Sequence, residues 1–264
     1  MNDNELQIQA QEYRSELFEK FVEVGQGHPG STFSMVEIAT TLYHGGFVRP
    51  NFDKVLISKG HATVTLYPIL TKLGIIPQKE WDNWGSKDSC LRVFGNISIP
   101  GIDVTSGSLG HGVGVGLGMC MAESNKEYYT KNVYVVISEG ELYEGSTWEA
   151  LIFAAHYKPK NLTIFIDINN LIILGETKDC VSLEPIKEKL EGFGFEIFDV
   201  DGHSTSEIKS ALDVKVDVPK IILSRTVKGK GFSLMENKPN WHYMNKMSEA
   251  EIEQCRKEIN NVSA

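Results

Sequence analysis

From Leu6 to Val24 the apolar positions Leu6, Tyr13, Leu17, Phe21 and Val24 recur three, four or seven residues apart, which predicts an amphipathic helix. The glycines and proline of GQGHPGS then stop it. A second helix is expected from about Ser34, whose hydroxyl is placed to cap MVEIATTLYH. KVLIS (Lys54–Ser58) reads as a short apolar strand, and KGHATVTLYPILTKLG as a turn and a helix ending at Gly74. The order strand, turn, helix then recurs: NVYVVI precedes STWEALIFAAHYK, NLTIFID follows, and FEIFDVDGH leads through STSEIKSALD to PKIILSRT. These strands are apolar throughout, without the alternation of a half-exposed sheet. The pattern therefore predicts an α/β fold, a parallel sheet with helices on both faces. From Lys246 onward the chain reads as a polar helix, framing the domain or meeting a partner.

The 264 residues contain no internal repeat and no Pro/Gly/Ser-rich linker, so residues 1–264 are expected to form one domain. A net charge of −9 argues against nucleic acid as the main ligand, and the basic knot TVKGKG is too short to change that. No apolar run reaches the length of a membrane span, and the polar N-terminus does not read as a signal peptide, so a cytoplasmic protein is expected. Cys90, Cys120, Cys180 and Cys255 lie far apart with no CxxC, which suggests neither a zinc cluster nor a disulfide framework.

Candidate chemistry gathers where strands end. In VYVVISEGELYEGSTWEA a buried strand breaks into a turn carrying Glu139, Glu141 and Glu144 before a helix begins. Acidic residues suit a helix start, but the C-terminal end of a parallel strand is also where open α/β sheets bind ligands. His28 lies in a turn stiffened by glycine and proline, and His61 follows a strand. TSGSLGHGVGVGLGM is a glycine-dense turn entering a helix, so backbone can approach a bound group between Gly107 and Gly112. It has neither the strand-GxGxxG-helix setting of a dinucleotide site nor the GK[ST] of a P-loop. About thirty residues after the acidic turn, the next strand ends in IDINNLIILGE, the spacing of one βαβ unit. Asn169-Asn170 alone suggests a turn with left-handed backbone. With Glu139 on a neighbouring strand end, the Asn169 amide oxygen, a backbone carbonyl and ligand oxygens make a hard-oxygen shell for Mg²⁺ or Ca²⁺. Two side chains are too few for a closed cage, so such a metal would sit on a phosphorylated ligand.

Taken in order, GHPGS, ISKGHATVTLY, PGIDVTSGSLGHG, EGELYEGSTWEALIFAAHY, IDINNLIILGET, VDGHS and SRTVKGKGFSLMEN with the following WH resemble the transketolase family over most of the chain. The resemblance covers the diphosphate-binding half of a transketolase and so implies the N-terminal subunit of a split, two-component enzyme. That family uses thiamine diphosphate and a divalent metal to move a two-carbon ketol unit from a ketose to an aldose. The resemblance implies that Glu139, Asn169 and the Leu171 carbonyl ligate the metal, that Gly140 offers its amide to the diphosphate, and that His61 and His242 contact diphosphate oxygens. It implies that His28 faces the substrate and assists proton transfer, that Gly107 and Leu109 line the cofactor, and that Glu144 lies at the junction with a partner. The glutamate that activates the aminopyrimidine belongs, in the family, to a pyrimidine-binding module not found in this sequence. The implied partner is therefore a C-terminal, pyrimidine-module transketolase subunit in an α2β2 heterotetramer, and the implied substrates are sugars or sugar phosphates.

The chain departs from the family pattern at three places. Ser138-Glu139-Gly140 stands for Gly-Asp-Gly, LRVFGNISIPG lacks the histidine of a GHP, and WHY replaces WHG at Trp241–Tyr243. The first keeps the charge and adds a methylene, so the turn must back away or metal affinity falls. The second removes a substrate contact and suggests a donor or acceptor unlike the usual sugar phosphates. Two other functions fit the same module: thiamine diphosphate-dependent condensation of a 2-keto acid, and a pseudoenzyme scaffold that has lost metal binding.

Overall fold

The computed structural model describes residues 1–123 and 131–261. Its strands are β1 (Lys54–Ile57), β2 (Val133–Ser138), β3 (Leu162–Ile168), β4 (Leu171–Ile172), β5 (Gly175–Glu176), β6 (Glu196–Asp201) and β7 (Lys220–Arg225). Five of them form one parallel sheet in the order β1-β2-β3-β7-β6, and β4 and β5 pair as a small antiparallel hairpin. The helices are α1 (Asp3–Val24), α2 (Pro29–Phe33), α3 (Val36–His44), α4 (Leu66–Lys72), α5 (Gln78–Asp82), α6 (Gly112–Glu123), α7 (Gly145–Tyr157), α8 (Thr177–Cys180), α9 (Ile186–Glu191), α10 (Thr205–Asp213) and α11 (Glu249–Asn261).

Both faces of the sheet are covered, which is why its strands are apolar throughout. Val55, Tyr134, Val136, Phe165 and Ile222 pack into a core layer with residues of α1, α3, α4, α10 and α11. Their strand neighbours Leu56, Val135, Ile137, Ile164 and Leu223 pack into a second layer with residues of α6, α7 and α9. The polar C-terminal helix thus frames the domain, burying Cys255 and Ile259 in the first layer. Among the described residues no helix is long and apolar enough to cross a membrane.

Local chemistry explains where the elements differ from the sequence pattern. Helix α1 begins at Asp3, ahead of the first periodic residue, because Asn2 and Glu5 form a reciprocal capping box, and it ends at Gly25 in left-handed backbone. Ser34 does not cap α3, the helix expected from about that residue. α3 starts after Met35 without a side-chain cap, while the Ser34 hydroxyl turns inward to the Ser31 carbonyl and to Asp167. A buried carboxylate is a stronger hydrogen-bond acceptor than anything a solvated cap offers, so tertiary structure overrides the local preference. The segment after β1 opens as a 3₁₀ helix over Gly60–Thr65, and α4 starts only at Leu66. Pro68 falls in the first turn of α4, where proline is best tolerated.

Strand register brings the site together. Ser138 pairs with Asp167, and Ile168 pairs with Arg225, so β2, β3 and β7 end within a residue or two of one another. The turns that leave them carry Glu139, Asn169 and Lys228, and the turn after β1 carries His61.

Candidate active site

At the C-terminal edge of the sheet lies a cleft of about 360 Å³. His28, His61, Gly107, Leu109, Glu139, Gly140, Asn169, Leu171 and His242, drawn from six separate stretches of sequence, all line it.

The three glutamates of the acidic turn have three different surroundings. Glu139 is 3% exposed at the start of a 3₁₀ turn, and its Oε2 accepts the Asn170 N–H at 2.8 Å. The side chain therefore reaches across to the turn after β3. Burial pushes its carboxyl above the usual range, with Asp167 and Glu184 adding to that and bonds to Thr177 and Asn170 opposing it. Glu141 points the other way, fully buried, accepting the Gly110 N–H at 3.0 Å and the Ser58 hydroxyl. Ser58 in turn accepts the Gly112 N–H at 3.0 Å, so these two side chains satisfy donors at the start of α6. A Cβ at residue 112 would lie 2.3 Å from Ser58, so the close approach requires glycine. Glu144 is exposed at the N-cap of α7, makes no capping hydrogen bond, and is not among the lining residues of the cleft. The helix-start reading thus applies to position alone for Glu144, while Glu139 and Glu141 are buried groups with specific partners.

Asn170 has φ 59°, so the left-handed turn expected of the Asn pair is present. It leaves Asn169 aimed at the cleft, with Oδ1 accepting only a long 3.2 Å bond from the Leu171 N–H. A carboxylate, an amide oxygen and the backbone of Leu171 meet there. Among the described residues no group of three or more His, Cys, Asp and Glu side chains stands in metal-holding geometry. A cation at this place would therefore share its shell with ligand oxygens, which suits Mg²⁺.

Facing these oxygens are three histidines with ring centroids 5.1 Å (His28–His61), 5.3 Å (His28–His242) and 5.5 Å (His61–His242) apart. His61 Nε2 bonds the Ser31 hydroxyl at 2.9 Å. Nδ1 of His28 and Nδ1 of His242 are buried without a partner. Burial, reinforced by the charge on Lys228, lowers both His28 and His242 to about 4. Burial and then Lys59 lower His61 well below its ordinary range. The cluster is therefore uncharged at neutral pH, and each ring has one N–H donor and one acceptor nitrogen.

Beneath the cluster the structure contains a buried ionic network that sequence reasoning missed. Lys59 and Asp167, both at most 1% exposed, form an ion pair. Asp167 Oδ2 also accepts the Ser34 hydroxyl at 2.6 Å, Thr226 donates to Oδ1, and Lys59 Nζ donates to the Ser31 carbonyl at 3.1 Å. Lys59 precedes His61 by two residues and Asp167 precedes Asn169 by two, so the pair ties the histidine side to the oxygen side. The sequence carried a signal: Asp167 interrupts the apolar run LTIFIDI, and a carboxylate is almost never fully buried unless paired. The second omission is Lys228 of the TVKGKG knot, 3% exposed and lining the cleft with no ion pair among the described residues. Burial lowers it to about 8, Asp167 opposing and Lys59 adding to the shift. It is the single Lys or Arg among the described lining residues.

Residues 9–261 match the family described as "Transketolase, thiamine diphosphate binding domain". An apulose-4-phosphate transketolase subunit of Phocaeicola vulgatus is 34% identical over 249 residues, 90% of this chain and 88% of that protein. A 6-deoxy-6-sulfo-D-fructose transketolase subunit of a Clostridium species is 34% identical over 91% of each. The solved transketolase of Campylobacter jejuni superposes with a TM-score of 0.90 at 27% identity, over 98% of this chain and 43% of that one. The chain thus spans nearly the whole of the two subunits and less than half of the solved transketolase.

Proposed function

This chain belongs to the transketolase family, as a thiamine diphosphate-binding domain, and from that premise we propose that it is the diphosphate-binding subunit of a split transketolase, moving a two-carbon ketol unit from a ketose to an aldose. The observation that carries the reading is convergence: Glu139 and Asn169 on adjacent strand ends, a buried ammonium at Lys228 with no ion pair among the described residues, and three uncharged histidines share one cleft. That buried cation and two ring nitrogens without a partner among the described residues fit a ligand that is anionic and rich in oxygen. Both the diphosphate and a bridging divalent cation meet that description.

Glu139, the Asn169 amide oxygen and the Leu171 carbonyl would hold the cation, with Gly140 and Leu109 lining the diphosphate side and Gly107 beside Phe94. A Cβ on residue 140 would lie 3.2 Å from Ile172, tight enough to disturb that wall. Bound thiamine diphosphate supplies the carbon nucleophile and the electron sink. His61, held by Ser31, and His242 would donate to diphosphate oxygens. His28, uncharged at neutral pH, would take a proton from a substrate hydroxyl and return it to the product. Glu144, exposed beside the glycine-rich turn, would face a partner.

The two carboxylates among the described lining residues are already engaged, Glu139 with the Asn170 turn and Asp167 with Lys59, so the reading calls for a pyrimidine-module subunit to activate the aminopyrimidine, assembled as α2β2. The two relatives that are called transketolase subunits support the need for a partner. All four cysteines are unpaired, which suits the reducing cytoplasm.

The purified chain should show no ketol transfer, and activity should appear on mixing with a C-terminal split-transketolase subunit. Turnover by the chain alone, or none after a heterotetramer has formed, would contradict the reading. Replacing His61 or His242 with Ala in that assembly should weaken thiamine diphosphate binding on the order of tenfold or more, the loss of one hydrogen bond to a charged group. Calorimetric affinities equal to the parent in both variants would place these histidines elsewhere in the reaction.

A further inference from the structure

The open side of the histidine cluster is aromatic. Phe94 sets its ring 5.6 Å from that of His28, edge-on at 69°. Tyr243 places its ring 4.8 Å from both His28 and His242. Phe94 leans over the glycine-rich turn, where a Cβ on residue 107 would touch its ring edge at 4.0 Å. Both rings line the cleft, yet they are 42% and 53% exposed. Two half-exposed rings beside the polar groups of a cleft are placed where a ligand would cover them.

We infer that Phe94 and Tyr243 are specificity-determining residues that stack against the carbon chain of the sugar, so that the part of the substrate next to His28 is uncharged and presents its C–H face. The inference rests on the ketol-transfer reading and names the kind of substrate surface that the site accepts. Three observations support it. Both rings stand against that of His28, an imidazole that has an unpartnered buried nitrogen. Flat apolar walls with a few polar atoms between them match a sugar, whose ring or chain carries C–H faces and hydroxyl edges. The single Lys or Arg of the described lining residues, Lys228, is buried, so among those residues no exposed cation stands beside the two rings to meet an anionic group. A phosphate or sulfonate on the substrate would then point away from this wall.

The test uses the reconstituted assembly, with a ketose donor held saturating, the neutral acceptors glyceraldehyde, erythrose and ribose, and their terminal phosphate esters. Phe94→Ala and Tyr243→Ala should each raise the acceptor KM roughly tenfold while kcat and calorimetric thiamine diphosphate affinity stay near the parent values. The KM factor should be the same for a neutral aldose and its phosphate ester, because the wall meets carbon and not the anion. Tyr243→Phe should restore parent behaviour, since the ring and not the hydroxyl is used, and Tyr243→Leu should not. Unchanged KM in the Ala variants overturns the inference. So does a loss confined to phosphate esters, or a weakened association between the subunits in place of the KM change, which would make the wall part of the interface. Failure of the parent to bind cofactor is a separate result; it removes the functional reading and this inference with it.

Discussion

Lys59→Met should cost the fold about 3–5 kcal/mol, the usual penalty for leaving one member of a buried ion pair without its partner. For a chain of this size that lowers the melting temperature by roughly 10 °C. Lys59 is fully buried, and its ammonium meets Asp167, the Ser31 carbonyl and the Ser34 hydroxyl. Methionine fills similar volume, so the loss isolates charge from packing. Burial works to raise the Asp167 carboxyl, but the Lys59 ammonium and the bonds from Lys59, Ser34 and Thr226 outweigh it and hold the carboxyl below its ordinary range. A group depressed in the folded state stabilises the fold above its unfolded pKa, and that stabilisation disappears as pH falls through the folded value. The cost of Lys59→Met should therefore be largest near neutral pH and shrink in acid, where a protonated Asp167 needs no counter-charge. The double variant Lys59→Met/Asp167→Leu should recover part of the loss. A single variant that melts within a degree or two of the parent at neutral pH would show that the pair is not the clasp between the two sides of the cleft.

Glu139→Gln should weaken Mg²⁺-dependent thiamine diphosphate binding on the order of 10–100-fold, because it removes the one carboxylate offered to the cation and leaves shape nearly unchanged. Glu139→Asp should also weaken it. The extra methylene of glutamate is in use: it carries Oε2 to the Asn170 N–H at 2.8 Å, and aspartate would fall short of that turn. Glutamate at this position therefore spans to the turn that follows β3. Burial raises the Glu139 carboxyl, so in the metal-free protein the charged form is disfavoured and its contribution to stability is lost as pH rises through the raised value. Added Mg²⁺ should consequently stabilise the assembly more near pH 8 than near pH 5, and Glu139→Gln should flatten that difference. An equal Mg²⁺ effect at both pH values would place the cation away from Glu139.

The parallel sheet was readable because its strands are continuous apolar runs, a pattern that arises when both faces are covered. Nine of the ten site residues expected from the sequence line one cleft: glycine turns and strand ends marked His28, His61, Gly107, Glu139 and Asn169, while Leu109, Gly140, Leu171 and His242 came from the family resemblance. Ser34 was misread because its partner, Asp167, lies 133 residues away. Lys59 and Lys228 were overlooked for a related reason: a lysine beside a glycine looks like a solvated turn residue until the fold buries it. Phe94 and Tyr243 appeared in the sequence only as departures from a family motif, and where their rings stand depends on loops that no local pattern specifies.

If Glu139, Asn169 and Leu171 form, with Lys228 and the histidines, a metal-dependent diphosphate site, isothermal titration of thiamine diphosphate into the heterotetramer should show saturable binding with Mg²⁺ that is lost on adding a chelator and is reduced at least tenfold by Glu139→Gln. Binding equally tight with chelator, or in Glu139→Gln, would place the cofactor's metal elsewhere.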